Sequence, residues 1–322
     1  MSALGGLDRF EGPFGRAGLG RLLRPFVLGV RTLFADFGRR WGLAAQVRRL
    51  YCRVMTATQG GRSPLEGANP AEVKGRSRHR FFCPSLASLA AGGQANSDRL
   101  LPLDREQSHH ARRVLKMPEG EAVELFDGEG WVGFGTLASG HTVSVDGVHR
   151  VPPVGLSVSV ATAWPKGARA DTMITTLSQL GADRVIPVRT ARSVAHPSET
   201  RRLRYEKLAI ESAKQCRRAY VMRIAPVAGI ESVMNGGEDV RLMACPGPDA
   251  QCPWPRSRVN GAASVLILIG PEGGWSVQEK KLARQLDFEP WRLGPHVMRI
   301  ETAAVAAVAV VRYHALQTPQ AL

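Results

Sequence analysis

Two short blocks near the carboxyl end of this 322-residue chain set glycine, arginine and carboxylate side chains where strands give way to helices. The first is Leu268-Ile269-Gly270-Pro271-Glu272-Gly273-Gly274-Trp275-Ser276. The apolar run VLILI at 265–269 leads into it, as expected of a strand buried on both faces. Ser276 with Glu279 predicts a capping box opening the next helix. Glycines at such a turn let the backbone come close to a bound small molecule. Their spacing matches neither GxGxxG nor the P-loop pattern, so dinucleotide and phosphate-loop readings fail. The second block is Leu293-Gly294-Pro295-His296-Val297-Met298-Arg299-Ile300-Glu301-Thr302-Ala303. It predicts a tight loop before an apolar terminal helix over about 302–316, with Thr302 as N-cap and Glu301 in the favourable field of the helix start. Arg299, set among apolar residues, requires an anion, either Glu301 or a substrate.

The elements that must carry these blocks alternate. LSVSVATA (156–163), RVIPV (184–188), VRLMA (240–244) and VLILI predict strands, with helices over about 170–180, 200–218 and 276–286. Such βα alternation predicts a parallel sheet with ligands at the strand carboxyl ends. Ahead of Pro152-Pro153 the signals are short and β-like: AVELF (122–126), WVGFGTL (131–137) and TVSVD (142–146). Asp127-Gly128-Glu129-Gly130 predicts a hairpin between the first two, and a helical stretch runs from Gln107 to Lys116. A small barrel fits this spacing.

Net charge is +15, but it is uneven. Residues 1–80 hold fifteen Lys and Arg against five acidic residues, and 81–322 hold 28 against 23. The basic, acid-poor opening, with arginines spaced among Leu, Phe and Trp, predicts an organellar transit peptide followed by a linker over 1–78, addressed to a mitochondrion or chloroplast; the alternative is a cytoplasmic protein with a basic arm. Five scattered cysteines without a CxxC pair argue for a reducing compartment and against zinc. His109 and His110 are adjacent and have no third ligand near, so no metal is expected. The apolar run 303–311 is too short to span a bilayer, so no membrane is expected.

Both blocks resemble signatures of the RsmE-type methyltransferases of the SPOUT class, which modify uridine N3 in 16S ribosomal RNA. Arg80-Phe81-Phe82 is similar to that family's opening Arg-Phe-Tyr, and His110 to Lys116 to its His-x-x-x-Val-Leu-Arg. Lys166-Gly167 through Leu180-Gly181, Pro187 to Ser193 and Glu211 to Arg218 are similar to three further motifs. Thr176, Gln179 and Ala191 depart from the lysine and two glutamates usual there.

The resemblance implies a PUA-like RNA-binding barrel at 79–152 and a SPOUT α/β domain with a trefoil knot at 153–318. It implies S-adenosylmethionine as cofactor, a homodimer, and small-subunit ribosomal RNA or the assembled small subunit as partner. The cofactor residues it implies are Val188, Arg189 and Thr190, then Ile269, Gly270, Pro271, Glu272, Gly273 and Gly274, and finally Leu293, Gly294, Pro295 and Met298. Uridine N3 gains nucleophilicity as its proton leaves, and a fixed cation stabilises the resulting anion. Arg299 is the first candidate and Arg80 the second; no general base stands out. Arg112, Arg113 and Lys116 are the RNA contacts expected in the barrel, and Gln215 and Arg218 those expected on the later helix. Arg201, Arg202, Arg204, Lys214 and Arg217 are weaker ones. Two other readings remain at this point: a SPOUT methyltransferase of another RNA such as tRNA, and a non-catalytic ribosome-assembly factor.

Overall fold

The computed structural model describes residues 79–91, 99–139, 141–246, 259 and 261–317. The segment read as a transit peptide, together with Cys52, Cys252 and the rest of 247–258, lies outside the described residues.

The first sheet is built from β1 (His79–Phe82), β2 (Leu100–Pro102), β3 (Ala122–Phe126), β4 (Trp131–Leu137) and β5 (Thr142–Arg150), in the order β1-β3-β4-β5-β2. Alternation puts Phe81, Val123, Leu125, Leu137, Val143 and Val145 into one core. The expected β3–β4 hairpin forms, with Asp127 Oδ1 accepting from the backbone N–H of Glu129 (2.7 Å) and Trp131 (3.0 Å). β5 runs longer than expected, and a register shift at Phe134/Gly135 bends its pairing with β4. Helix α1 (Leu86–Ala91) follows β1. The single helix expected over 107–116 is instead α2 (Arg105–His109), capped by Asp104, running into a π-type turn at His110–Val114 and ending with Lys116 at φ 51°.

The second sheet is parallel throughout. Its strands are β6 (Ser157–Thr162), β7 (Arg184–Arg189), β8 (Arg223–Ile224), β9 (Ala228–Gly229), β10 (Val240–Ala244), β11 (Ser264–Ile269) and β12 (Glu289–Trp291). They stand in the order β12-β10-β11-β6-β7-β8, with β9 beside the end of β7. Parallel pairing requires crossovers. The helices in these crossovers are α3 (Ala168–Leu180), α4 (Glu199–Cys216), α5 (Ile230–Met234) and α6 (Val277–Gln285), and α7 (Ile300–Gln317) follows the last strand. β11 shows why its sequence is apolar without interruption: Val265, Ile267 and Ile269 enter the core shared with α3 and α7, while Leu266 and Leu268 enter the core on the other face. Helix α7 presents Ile300, Ala304, Ala307, Val308 and Val311 to the first of these cores, an i, i+4, i+7, i+8, i+11 stripe. It begins two residues earlier than expected. Thr302 therefore lies inside the first turn, and the carbonyl of Arg299 accepts the first helical hydrogen bond from Ala303 (2.8 Å).

The two sheets meet at α4 and the loop after it. The β3–β4 turn docks on that loop: Gly130 N–H donates to Ala219 O (3.2 Å) and Val221 N–H to Gly128 O (2.9 Å). Gly130, at φ 106°, lies against the Tyr220 ring, leaving no room for a side chain, and the Tyr220 hydroxyl donates to Val151 O (2.8 Å). Among the described residues no helix is long and apolar enough to cross a membrane.

Candidate functional site

All strands of the large sheet point their carboxyl ends the same way, so the loops after β6, β7, β10, β11 and β12 gather along one edge. The turn Gly270–Gly274 is at its middle. Trp275 folds back under it: a Cβ on Gly270 would sit 2.9 Å from the indole, whose Nε1–H donates to Ala244 O at the end of β10 (2.9 Å). Gly270 therefore has to stay bare. Cys245 N–H in turn donates to Trp291 O (3.0 Å), tying the end of β10 to that of β12. The loop 293–298 leaves from there. It lies two strands from the Gly270 turn, about 10 Å at the sheet spacing.

On the other side the loop after β7 is stapled to the same turn. Arg192 donates to Gly273 O (2.6 Å). The buried Glu279 carboxylate takes two roles at once. Oε2 accepts from Ser276 N–H (2.7 Å), completing the expected capping box, and Oε1 accepts from Ala191 N–H (2.8 Å). Sequence reasoning saw the first role and missed the second, because nothing in the spacing of a capping box shows where the second oxygen reaches. Ser193 Oγ bonds Thr190 Oγ1 (2.8 Å) and accepts from Thr190 N–H (3.0 Å), closing the loop on itself.

A cavity of about 270 Å³ opens between the Gly270 turn, this loop and the first residues of α3 and α7. Pro271 and Glu272 line it with Ala163, Trp164, Lys166, Arg169, Ser193, Val194, Ala195 and Ile300. Arg169 pairs with Glu301 (3.8 Å), whose other oxygen, Oε2, is buried without a hydrogen-bond partner. Burial and the nearby Arg189 cation hold the His196 imidazole below its ordinary pKa.

The residues singled out from sequence divide. Ile269 to Gly274 sit at the centre of the edge. Val188, Arg189 and Thr190 flank it on the β7 side, with Val188 buried within the strand, and Leu293, Gly294, Pro295 and Met298 flank it beyond β10. Arg299 is exposed, and its expected partner Glu301 is taken by Arg169. Arg80 is a correction. It is 8% exposed, pairs with Glu124 (2.8 Å), donates to Ala213 O (3.0 Å) and lies over the Phe126 ring, so its guanidinium joins the small sheet to α4 and does not face the edge. Burial lowers its pKa, and Glu124 opposes that shift.

Arg218 is a second correction. It donates to Ser178 O and Ala182 O (2.8 Å each) and pairs with Asp183 (3.2 Å), leaving little to offer RNA. Gln215 accepts from Gln179 Nε2 (2.9 Å), so the neutral residue at 179 has a neutral partner on the outside of the helix pair. The weaker candidates on α4 are also engaged, apart from Arg201: Arg202 with Glu199 and Glu206, Arg204 with Asp171, Lys214 with Glu211 and Arg217 with Glu124. In the barrel Arg112 donates to Ala138 O and pairs with Glu119 (3.6 Å), whereas Arg113 and Lys116 are exposed. Among the described residues no three His, Cys, Asp or Glu converge as a metal site needs.

Comparison with known proteins decides the family. Residues 152–312 match the model of the RNA methyltransferase domain, and residues 103–145 that of the RNA methyltransferase PUA domain. The ribosomal RNA small subunit methyltransferase E of Synechocystis is 30% identical over 224 residues, covering 65% of this chain and 71% of that protein. The chain belongs to the ribosomal RNA small subunit methyltransferase E family. The Bacillus subtilis member is 28% identical over 229 residues, covering 65% of this chain and 88% of that protein. Among solved structures, a Legionella pneumophila methyltransferase determined with bound SAM superposes with a TM-score of 0.64 at 25% identity, covering 74% of this chain and 98% of the other. The methyltransferase E of Neisseria gonorrhoeae gives 0.64 at 22% identity, over 74% and 98%. The architecture is therefore the SPOUT α/β fold of this family, preceded by its PUA-like domain.

Proposed function

We propose that this chain transfers a methyl group from S-adenosylmethionine to N3 of a uridine in small-subunit ribosomal RNA. What carries the reading is the Gly270 turn, kept free of side chains by Trp275 and fixed on both flanks, beside a cavity that also holds cations. These residues fit a cofactor with a flat base and a charged tail. Half-buried Leu293, Gly294 and Met298 give an apolar wall, and the backbone from Ile269 to Gly274 gives polar groups at close range. Ala191 and Arg192, just after Val188 to Thr190, brace the turn from the β7 side.

The bound donor supplies an electrophilic methyl group on a sulfonium. The protein's part is positioning, since in-line displacement depends on how the acceptor is held. Arg299, exposed beside the 293–298 loop and unpaired with any described residue, is the cation that offsets charge on the uracil carbonyls as N3 gives up its proton. Arg113 and Lys116 meet RNA phosphates from the small sheet. Two copies form the active unit, and the basic segment before residue 79 addresses the protein to an organelle.

Methylation of purified small subunits, followed by nucleoside mass spectrometry, tests the reading. We expect 3-methyluridine to accumulate with the wild-type protein and donor together. Failure to bind S-adenosylmethionine in calorimetry would sink it. Thr176 and Gln179, which depart from the charged residues usual in the family, are absent from the cavity lining.

A further inference from the structure

The cavity beside the Gly270 turn overlaps the segments expected to hold the cofactor only at Pro271 and Glu272. Its remaining walls come from the end of β6, the start of α3, the loop after β7 and the first residue of α7. Three of its side chains carry charge: Lys166 and Arg169 can only donate hydrogen bonds, and the Glu272 carboxylate can only accept them. Lys166 and Glu272 are exposed at the rim and pair with no described residue. Arg169 is half-buried and is held from behind by Glu301, which is itself only 15% exposed. The Trp164 ring in its lining is held in place, because it packs at 5.1 Å and a 53° tilt against Tyr205 and its Nε1–H donates to the Tyr205 hydroxyl (3.4 Å). Val194, 76% exposed, stands beside the mouth.

We propose that this cavity receives the target base itself, turned out of the RNA, and that Arg169, Lys166 and Glu272 read its Watson–Crick edge. The inference rests on the methyltransferase reading above and deepens it. A uracil edge presents acceptor, donor, acceptor: one carbonyl, N3–H, the other carbonyl. The lining carries the kinds of group that such an edge requires, two that only donate and one that only accepts. A cytosine edge replaces the N3–H by an acceptor and one carbonyl by an amino donor, so it sets N3 against the Glu272 carboxylate and an amino group against a cation. Both mismatches leave polar groups unpaired in a partly enclosed space. A single extruded base also suits a space of this size, and stacking on an aromatic side chain is how splayed bases are commonly held. The N3–H bond breaks first, its proton passing to the Glu272 carboxylate, and the in-plane electron pair left on N3 then attacks the methyl carbon. The N3–C bond forms while the C–S bond breaks, and its electron pair stays on sulfur. Arg169 faces one carbonyl from within the cavity, and Arg299, next in the chain to the lining residue Ile300, adds its charge from outside it. Glu301 acts through Arg169 and is a positioning residue.

The test uses the full chain with Arg169→Gln, Lys166→Gln, Glu272→Gln and Glu301→Gln. Three readouts are needed: calorimetry with S-adenosylmethionine, single-turnover methylation of purified small subunits, and binding of uridine and cytidine 5′-monophosphates without the donor. Wild type should prefer the uridine nucleotide. Arg169→Gln should bind the donor within about three-fold of wild type while transfer falls about 100-fold, the size of effect that follows loss of one donor to a developing oxyanion. Glu272→Gln should abolish the preference between the two nucleotides in the absence of donor, a measurement that any role of Glu272 toward the donor leaves untouched. Glu301→Gln should shift the pH–rate profile of transfer upward, with a smaller loss at alkaline pH than at neutral pH. Equal binding of the two nucleotides by wild type, or transfer within three-fold of wild type in both Arg169→Gln and Lys166→Gln, overturns the proposal. Loss of donor binding by wild type with the nucleotide preference intact overturns the methyltransferase reading and keeps the cavity as a uracil site.

Discussion

Cations are used in opposite ways in two regions of the protein. Where the small sheet meets α4, and where α7 crosses behind β6, the arginines are paired two to a carboxylate. Arg80 and Arg217 share Glu124. Arg218 and Arg312 share Asp183, and Arg312 also donates to Leu156 O (2.6 Å) and Gly181 O. Along the carboxyl edge of the large sheet the reverse holds. Lys166, Arg189 and Arg299 are exposed and unpaired among the described residues, and Arg169 has a single carboxylate at 3.8 Å. A charge surrounded by fixed acceptors has already replaced its water and has nothing to offer a ligand. A charge left at a cavity keeps that capacity. Counting basic residues in the sequence cannot separate the two kinds.

The largest effect is expected from breaking the joint. Glu124→Ala leaves two arginines without their carboxylate, one of them buried, and should lower the unfolding free energy by about 3–5 kcal/mol in a denaturant titration. Donor affinity measured below the transition should stay near wild type, because the edge is not touched. Arg299→Ala makes the complementary change. Transfer should fall about 100-fold, the loss typical of one electrostatic stabiliser, with the melting curve unmoved; transfer at the wild-type rate would remove Arg299 from the chemistry.

Glu279→Gln tests whether the loops after β7 and β11 act as one. The neutral amide keeps a single acceptor for two N–H groups, so donor affinity should drop about ten-fold, or roughly 1.4 kcal/mol. A drop in stability alone would confine Glu279 to its helix cap. The smallest effect belongs to an exposed clasp. Asp239 accepts from Ala263 N–H (2.8 Å), Ser264 N–H (2.9 Å) and Ser264 Oγ (3.1 Å), and these bonds hold its carboxyl below the ordinary Asp value. A folded pKa below the unfolded one stabilises at pH above the ordinary value, and the contribution disappears as pH falls through the lowered one. Urea midpoints of wild type and Asp239→Asn should therefore differ at neutral pH and converge in acid.

Much of the fold was legible because its signals are local. β3, β4, β10 and β11 were placed to within a residue, since alternation in the first two and an uninterrupted apolar run in the last reflect what each face touches. The very short strands β8, β9 and β12 carry too few residues for periodicity to register. Thr302 was misread as a cap because Ser, Thr and Asp signal helix starts only where no stronger geometry intervenes, and here the apolar Ile300 is already held in the core. The site was legible in its glycines and not in its charges. Gly270 to Gly274 declare a bare turn by composition. Arg80 and Arg218 look the same in sequence whether they face RNA or Glu124 and Asp183, and the spacing of Lys166 and Arg169 does not show the cavity they line, because it is assembled from four separate segments.

The Arg312 clasp has a consequence for how the protein comes to exist. Arg312 grips a carbonyl 156 residues earlier in the chain, and Ile300 at the start of the same helix closes the cavity. β6 can thus be synthesised long before the helix that covers it, and contacts of such separation are slow to form because the intervening chain must first be ordered. During that interval the apolar strand is open to whatever it meets, and the nascent protein has no working pocket. Assistance from a chaperone should matter most in that window and least once α7 has docked.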